Sequence, residues 1–335
     1  MMQISPEIQL FIREHSSDDV RVLALQAKKY PDIDMPTVIT QIAGRKVAAE
    51  KIPSWWEIEK IWYPKHLSLE QCSSEITARY KARLLQGDSL TDLTGGFGID
   101  CSFLATGFKS ATYVERQEEL CEIAAHNFPV LNLNHINIKN EDGVTYLQAM
   151  SPVDCLFLDP ARRNEHGGKT VAISDCEPNV AELEELLLQK ANRVMIKLSP
   201  MLDLSLALKE LKQTQEVHIL SVNNECKELL ILLGQTSPAE ISIHCVNLFT
   251  KGTQKEQHFV FTREQEQCSE CTYTDSLETY LYEPNASLLK AGAFRSIAAA
   301  YPVRKLHPNS HLYTSDTFIE NFPGRIFRIV NQCSF

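Results

Sequence analysis

The sequence has no long apolar segment and no leader-like N-terminus. No run of eighteen apolar residues occurs anywhere in the 335 residues, which excludes an ordinary transmembrane helix. Residues 1–10 have neither a basic start nor an apolar centre, so they do not resemble a secretory signal. These absences predict a cytoplasmic protein that does not contact a membrane.

Cysteine is present, but without the spacing of a disulfide framework. Ten cysteines are scattered along the chain, and in a reducing compartment we expect them to act as small buried apolar residues. Cys268 and Cys271 form a lone C-x-x-C pair, and no second pair of ligands follows at a matching distance. The sequence therefore predicts neither a metal site nor a redox site.

Positive charge is also scarce. The 33 lysine and arginine residues face 43 aspartate and glutamate residues, which gives a formal net charge of −10. Non-specific binding to nucleic acid depends on a basic surface that displaces counterions, so the balance argues against it and permits only a local basic groove. Within residues 1–85, twelve basic residues face eleven acidic ones, so no basic domain stands out there.

What the sequence does contain is a regular alternation of short apolar runs and helical stretches from Leu90 to Gly234. Seven strands separated by helices predict an α/β domain with a mostly parallel sheet. The last two runs lie close together in sequence, which indicates a final antiparallel hairpin. The runs are Leu90–Leu93, Ala111–Val114, Ile136–Ile138, Cys155–Leu158, Val194–Leu198, Val217–Val222 and Leu229–Leu233.

The regions on either side have a different character. Residues 1–60 are typical of several short helices with capping residues, and Ser68–Leu85 is predicted to form one further helix. After Gly234, alternating strands and a helix over Ser287–Ala300 predict a small α+β domain. A last strand over Gly324–Val330 is expected to lack its partners within the chain.

Three tryptophans, Trp55, Trp56 and Trp62, lie within eight residues of one another. Such a cluster could stack on nucleic-acid bases. The favoured interpretation is an apolar core that joins two domains.

The strongest chemical signal is the segment Leu90–Asp100, in which a strand ends at Asp92 and a glycine-rich turn leads into a helix. Glycines at Gly96 and Gly98 allow backbone amides to approach a ligand closely. A dinucleotide site would need a third glycine where Cys101 stands. The turn instead matches one that approaches the methionine part of S-adenosylmethionine (SAM), with Asp92 accepting from its ammonium group. A turn with a purely structural role is the alternative.

Thr94 and Asp100 belong to the same segment and are further candidate cofactor contacts. Two acidic residues follow the next two strands. Glu115, 17 residues after Gly98, can accept both ribose hydroxyls of an adenosyl group, and Asp142 can accept from the adenine amine. Each has an alternative interpretation, as a helix-starting surface acid and as a turn residue, but their order at successive strand ends favours a cofactor site.

The fourth strand ends in Asp159, Pro160, Ala161, Arg162 and Arg163. This string resembles the D-P-P-Y and N-P-P-Y motifs of methyltransferases that act on exocyclic amines of bases. Asp159, beside Pro160 and a neighbouring carbonyl, would orient a target amine, so that catalysis is mostly positioning and electrostatics. Arg162 occupies the place of the aromatic residue, and the two arginines either hold phosphate or form structural ion pairs.

Two later features lie near strand ends. The polar, glycine-rich segment Asn164–Lys169 is either a mobile gate or a surface loop. Lys197, in the apolar run of the fifth strand, either faces a substrate or extends along the core edge to solvent.

Long strings of the sequence are shared with one family. They are Gln71–Lys81, Asp92–Asp100, Asp159–Arg163, Gly167–Lys169, Ser174–Pro178, Ile196–Pro200, Tyr282–Ser287 and Leu306–His311. On these strings the chain resembles the class I SAM-dependent methyltransferases that carry a ferredoxin-like domain and a C-terminal THUMP-like domain.

The resemblance implies a fold and a division into domains. The fold is α/β, with a Rossmann-like seven-stranded methyltransferase sheet, an N-terminal helical region and a small C-terminal α+β domain of ferredoxin-like type. The expected domains are residues 1–67 (helical), 68–236 (methyltransferase), 237–320 (ferredoxin-like) and 321–335 (the start of a truncated THUMP-like domain).

The resemblance also implies a reaction. SAM is the expected cofactor, bound by Asp92, Gly96, Gly98, Glu115 and Asp142. Because THUMP domains bind RNA in other enzymes, the expected acceptor is an amine of a base in structured RNA (tRNA or rRNA), placed beside Asp159. A protein or small-molecule acceptor and a non-catalytic RNA-binding factor are the alternatives. The missing third glycine argues against an NAD-dependent oxidoreductase.

Overall fold

The computed structural model describes residues 5–162, 172–236 and 238–332. Backbone contacts divide the chain into two units, residues 1–157 and 158–335. Among the described helices, none has both the length and the apolar character that crossing a bilayer requires.

The first unit begins with short helices whose ends are encoded by capping residues. Ser5 accepts a hydrogen bond from the amide of Ile8, and Asp19 and Asp34 cap the next two α-helices in the same way. The helices are α1 (Pro6–Glu14), α2 (Val20–Leu25), a 3-10 turn (Ala27–Lys29), α3 (Met35–Lys51) and α4 (Pro53–Trp56).

The single helix predicted over Ser68–Leu85 is wrong, because the structure has two helices there, α5 (His66–Gln71) and α6 (Glu75–Ala82). The backbone is extended at Cys72 and Ser74, with ψ near 159° and 156°. The Ser73 hydroxyl between them donates to the carboxylate of Asp100 at 2.7 Å, so this break turns a polar side chain inward.

Four parallel strands form the sheet of the first unit, in the order β4–β1–β2–β3. The strands are β1 (Ser89–Asp92), β2 (Ser110–Glu115), β3 (Ile136–Asn140) and β4 (Val153–Leu158). They alternate with α7 (Ile99–Ala105), α8 (Glu118–Val130) and α9 (Gly143–Ala149). The register pairs Asp92 with Tyr113 and Glu115 with Asn140, so the carboxyl ends of β1, β2 and β3 share one edge.

The N-terminal helices share a core with the turn that follows β1. Trp55 is 3% exposed and packs edge-on against Phe97, with ring centroids 5.2 Å apart. Trp62 stacks on His126 at 3.8 Å, while Trp56 is 42% exposed. Two of the three tryptophans therefore pack against protein, as the core interpretation predicts.

The second unit continues with an antiparallel element. The strands β7 (Ala191–Leu198), β8 (Thr214–Val222) and β9 (Glu225–Gly234) are ordered β7–β9–β8, with β9 antiparallel to both neighbours. This confirms the final hairpin. The remaining elements here are β5 (Ala161–Arg162), paired with β6 (Cys176–Glu177), a 3-10 turn (Ile173–Asp175), α10 (Val180–Lys190) and α11 (Leu204–Glu210).

Two further strands extend the sheet beyond β8. The strand β10 (Ser242–Leu248) lies parallel to β8, and β11 (Glu256–Thr262) lies antiparallel to β10. The sequence placed these strands in the small C-terminal domain. The alternation of apolar and polar residues identifies each strand but does not show which strand it pairs with. In the structure β10 pairs with β8.

A small antiparallel sheet follows, in the order β13–β14–β12–β15. Its strands are β12 (Tyr280–Pro284), β13 (Arg304–Lys305), β14 (Tyr313–Ser315) and β15 (Gly324–Arg328), with helices α12 (Arg263–Cys268), α13 (Ala286–Ala291) and α14 (Phe294–Ala300).

Two expectations for this region are corrected. The last strand, β15, does not lack a partner, because it pairs antiparallel with β12 from Gly324 to Arg328. The helix predicted over Ser287–Ala300 is interrupted at Gly292, whose φ of 75° is the left-handed conformation that ends a helix.

The fold class predicted from the sequence is confirmed. The fold is mixed α/β, with a helical N-terminus, a large and mostly parallel sheet and a small antiparallel sheet near the C-terminus. The domain boundaries stay predictions.

Gly143→Ala tests how tightly the turn after β1 packs against α9. A Cβ at Gly143 would lie 2.2 Å from the carbonyl oxygen of Leu93, and backbone cannot move aside as a side chain can. We expect a loss of about 1–3 kcal/mol in the free energy of unfolding, measured by denaturant titration. In the control Gly107→Ala, the new Cβ meets only ordinary contacts at 3.6 Å or more. Equal stability of the two variants would contradict the close contact.

Candidate functional site

The turn after β1 is the centre of the candidate site. Asp92 ends the strand at 1% exposure, and its Oδ1 accepts a hydrogen bond from the amide of Thr94 at 3.0 Å. The amide of Gly95 donates to the carbonyl of Val114 in β2, at 2.9 Å. The turn is therefore tied both to its own strand and to the neighbouring one.

The glycines of the turn are required for two reasons, close packing and backbone conformation. A Cβ on Gly95 would lie 2.3 Å from the ring of Tyr113, so protein packing demands glycine there. Gly96 and Gly98 have φ of +54° and +87°, which side chains rarely adopt. A Cβ on Gly96 would meet nothing nearer than the carbonyl of Thr94, at 3.8 Å. The space beside Gly96 is therefore open to a ligand.

Two side chains of β2 hold the peptide groups of Gly96. The hydroxyl of Tyr113 donates to its carbonyl oxygen, and Oε2 of Glu115 accepts from its amide at 2.9 Å. Burial raises the pKa of Tyr113, so the phenol keeps the proton that it donates. Oε1 of Glu115 accepts from the amide of Gln117 at 2.8 Å.

Glu115 thus lies at the strand end where the sequence predicts a ribose contact. Each carboxylate oxygen can accept about two hydrogen bonds. The two bonds to backbone amides orient the Glu115 carboxylate and leave acceptor capacity on both oxygens. A vicinal pair of ribose hydroxyls is a donor set that such a carboxylate fits.

Asp142 has a structural role that the sequence analysis gave only as an alternative. It is the N-terminal cap of α9, where Oδ1 accepts from the amides of Val144 and Thr145, each at 3.0 Å. The residue is exposed at the same strand edge as Glu115. Its contact with adenine stays a prediction.

Asp100 points into the protein and takes part in a buried ion pair. The Nζ of Lys81 lies 2.9 Å from Oδ1 of Asp100, and the Lys81 side chain is fully buried. Lys81 also donates to the hydroxyl of Ser73 at 2.8 Å. This group joins α6 to the first turn of α7. A direct contact between Asp100 and a cofactor stays a prediction.

Cys101 explains why the third glycine of a dinucleotide motif is absent. Its side chain is completely buried against Tyr113 and Phe128, in the space between helix and strand that the third glycine keeps narrow. Burial, with the charges of Asp92 and Asp100, raises the pKa of the thiol well above its usual value. The thiol is therefore a packing group and not a nucleophile.

The second unit contains the residues predicted to act on the acceptor. Asp159 follows β4, and its Oδ2 accepts a hydrogen bond from the Nζ of Lys197 on β7. The Asp159 side chain is 36% exposed and that of Lys197 is 10% exposed. Lys197 therefore orients Asp159 by a direct ion pair.

The structure describes only some of the other residues in Asp159–Arg163. Pro160 is buried, and the backbone of Arg162 pairs with Cys176 in the short β5–β6 ladder. The phosphate or ion-pair role of the Arg162 side chain stays a prediction. Arg163 and Asn164–Lys169 lie outside the described residues.

The first unit brings six of the predicted cofactor residues to one turn or strand edge. They are Asp92, Thr94, Gly96, Gly98, Glu115 and Asp142. Sequence reasoning missed Lys81, Ser73 and Tyr113 as supports of this site. No signal in the sequence pointed to Lys81, and only the structure shows that it shares a buried helix face with Thr77 and Ala78.

Comparisons with known proteins agree with this architecture. A family model described as a ferredoxin-like domain matches residues 280–323. The crystal structure of a candidate methyltransferase from Porphyromonas gingivalis W83 is 36% identical, and the match covers 97% of this chain and 81% of that chain, with a TM-score of 0.84. Among curated proteins, none matches the chain.

Two further solved structures match with lower sequence identity and lower TM-scores. A candidate methyltransferase from Streptococcus mutans in complex with SAH is 14% identical, covering 48% of this chain and 96% of that chain, with a TM-score of 0.34. An rRNA methylase from Streptococcus thermophilus is 15% identical, covering 48% and 93%, also with a TM-score of 0.34. Similarity at this level carries no argument about the function of this chain.

The match to the Porphyromonas gingivalis protein shows the family. The chain belongs with it to the class I methyltransferase family that carries a C-terminal ferredoxin-like domain.

Lys81→Met tests the buried ion pair behind the turn. The change leaves the carboxylate of Asp100 buried without its cation, and breaking a buried pair costs about 3–5 kcal/mol of unfolding free energy. Denaturant titration measures the loss. The matched control is Lys65→Met, whose ion pair with Glu119 is exposed and is worth about 0–1 kcal/mol. Similar losses in both variants would show that the Lys81 pair is not the support described above.

Proposed function

We propose that the chain is a SAM-dependent methyltransferase. The observation that carries the proposal is the placement of Asp92, Glu115 and Asp142 in order at or just beyond the carboxyl ends of three adjacent parallel strands, around an open glycine turn. In open α/β sheets, ligands bind at this edge. The family relationship to a candidate methyltransferase supports the same reaction.

The residues of the turn fit an adenosyl group with a charged amino acid attached. Glu115 offers both carboxylate oxygens to the ribose hydroxyls, and Asp142 lies one strand further along the edge, where an adenine amine would follow. Asp92 supplies negative charge at the turn for the ammonium of the methionine part. The open side of Gly96 permits close approach of the ligand to the backbone.

SAM supplies an electrophilic methyl group on its sulfonium. The task of the protein is then to bring a nucleophile into line with that methyl group, which is a matter of positioning. We assign this task to Asp159, which accepts a hydrogen bond from the acceptor and aligns its lone pair. Lys197 holds one oxygen of Asp159, so the carboxylate keeps a fixed orientation before the acceptor binds.

For the acceptor we propose an amine of a base in structured RNA. The proposal rests on the resemblance of Asp159–Pro160 to the motifs of amine methyltransferases and on the RNA-binding role of THUMP domains elsewhere. The methyltransferase domain would span at least residues 68–236, with the helical region 1–67 as its support. Strands β10 and β11 extend its sheet, so the ferredoxin-like domain would begin after them. A protein or small-molecule acceptor is favoured by one observation, the net charge of −10.

Binding of SAM tests the assignment of Glu115. In Glu115→Gln an amide replaces one acceptor oxygen, so a ribose hydroxyl or a backbone amide loses its charged partner. A hydrogen bond to a charged group is worth about 1.5–3 kcal/mol, so we expect SAM affinity to fall by about 10- to 100-fold in calorimetric titration. Glu118→Gln, the same change at an exposed position three residues later, is the control. Unchanged affinity in Glu115→Gln would remove Glu115 from the cofactor site.

Methyl transfer tests the reaction and the acceptor. We expect labelled methyl from SAM to enter RNA prepared from cells that lack this protein. Asp159→Asn keeps the shape of the side chain but replaces an acceptor oxygen, and it should abolish the label while SAM binding is retained. Asp275→Asn, at an exposed position, is the control.

The outcomes separate the parts of the proposal. If Asp159→Asn transfers as much labelled methyl to RNA as the original chain does, Asp159 does not have the proposed role. Label in protein or small molecules but not in RNA would contradict the RNA acceptor and leave the methyltransferase assignment in place. No transfer despite tight SAM binding would favour the non-catalytic factor.

A further inference from the structure

A cluster of histidines lies on neighbouring strands of the second unit, and the proposed reaction makes no use of it. Glu216 and His218 lie two residues apart on β8, so they share one face of the sheet. The parallel ladder places His244 of β10 directly beside His218. His258 of β11 pairs with Val246, two residues from His244, so it lies diagonally opposite on the same face.

The side-chain atoms of this group approach one another closely. Nε2 of His218 lies 3.2 Å from Oε2 of Glu216, and Nδ1 of His244 lies 3.1 Å from Nε2 of His258. The rings of His218 and His244 stack with centroids 4.3 Å apart. One ligand atom from each of Glu216, His218 and His244 lies within 4.8 Å of the others.

These separations suit a tetrahedral metal ion. With metal–nitrogen and metal–oxygen bonds of about 2.0–2.2 Å, the ligand atoms of a tetrahedron are roughly 3.3–3.6 Å apart. The two closest pairs of the cluster already lie within a few tenths of an ångström of that separation. The rings of His218 and His244 stack with their planes 17° apart, so one of the two rings must turn for both nitrogens to face a single ion.

Two neighbouring side chains, Arg193 and Ser242, contact the residues of this cluster. Arg193 holds Oε1 of Glu216 at 2.8 Å, so Oε2 is the oxygen that faces His218. Ser242 lies 3.1 Å from Nε2 of His244. Such supporting contacts typically accompany the residues that bind a metal. His258 is exposed to solvent, so an ion can reach the cluster from its side, whereas His218 is 2% exposed and lies inside.

We propose that Glu216, His218, His244 and His258 bind a divalent zinc ion. Three imidazoles and one carboxylate are a ligand set that Zn²⁺ prefers, and hard ions such as Mg²⁺ and Ca²⁺ prefer all-oxygen sites. The ion joins β8, β10 and β11, and so fixes the edge of the large sheet. Spacing along the sequence gives no sign of the site, because its ligands come from three strands.

Zinc titration of the full chain, after treatment with a chelator, tests the proposal. We expect one Zn²⁺ per chain by calorimetry, a rise in the melting temperature with zinc, and visible absorption bands of tetrahedral Co²⁺ when cobalt replaces it. His244→Ala should lower zinc affinity by at least about 100-fold, since loss of even a supporting residue costs about 10- to 100-fold.

Two further variants control for folding and for adventitious binding. His258→Ala changes an exposed residue, so the variant should fold, and it should still lower zinc affinity and remove the tetrahedral cobalt spectrum. His66→Ala removes an exposed histidine of α5 and should leave both unchanged. Zinc affinity that is equal in His244→Ala, His258→Ala and the original chain, or binding without one-to-one saturation, would overturn the proposal.

Discussion

The hydrogen bonds that Tyr113 and Glu115 make to Gly96 are the constraint on which the candidate site depends. Both side chains project from β2 on the same face, because they are two residues apart in a strand. One donates to the carbonyl of Gly96 and the other accepts from its amide, so the end of β2 determines the shape of the turn that follows β1. The same carboxylate is the one that we propose to accept from a ribose, so Glu115 would both shape the turn and bind the ligand.

The N-terminal helices belong to this arrangement. Trp55 packs on Phe97 from within the turn, and Lys81 pairs with Asp100 at the start of α7. These two contacts tie the turn and the helix after it to the N-terminal helices. A region that the sequence suggests as a separate helical domain therefore shares its core with the turn after β1.

The sequence predicted most of the sheet, because buried parallel strands are continuous apolar runs that can be recognised one by one. It also placed Asp92 and Glu115 correctly at strand ends. It did not predict Lys81, because a lysine in a helix is typical of solvent exposure and its partner Asp100 lies 19 residues away. Nor did it predict the pairing of Lys197 with Asp159, 38 residues apart, or that β10 joins β8, since apolar alternation does not identify a neighbouring strand.

We propose that the open turn at Gly96 receives the adenosyl and methionine parts of SAM. The most direct test is calorimetric titration of the chain with S-adenosylhomocysteine and, in parallel, with NAD⁺, which shares the adenosine but adds a pyrophosphate. We expect saturable binding of one S-adenosylhomocysteine per chain and no binding of NAD⁺. Binding of NAD⁺ in preference to S-adenosylhomocysteine, or binding of neither ligand, would show that the turn is not a SAM site.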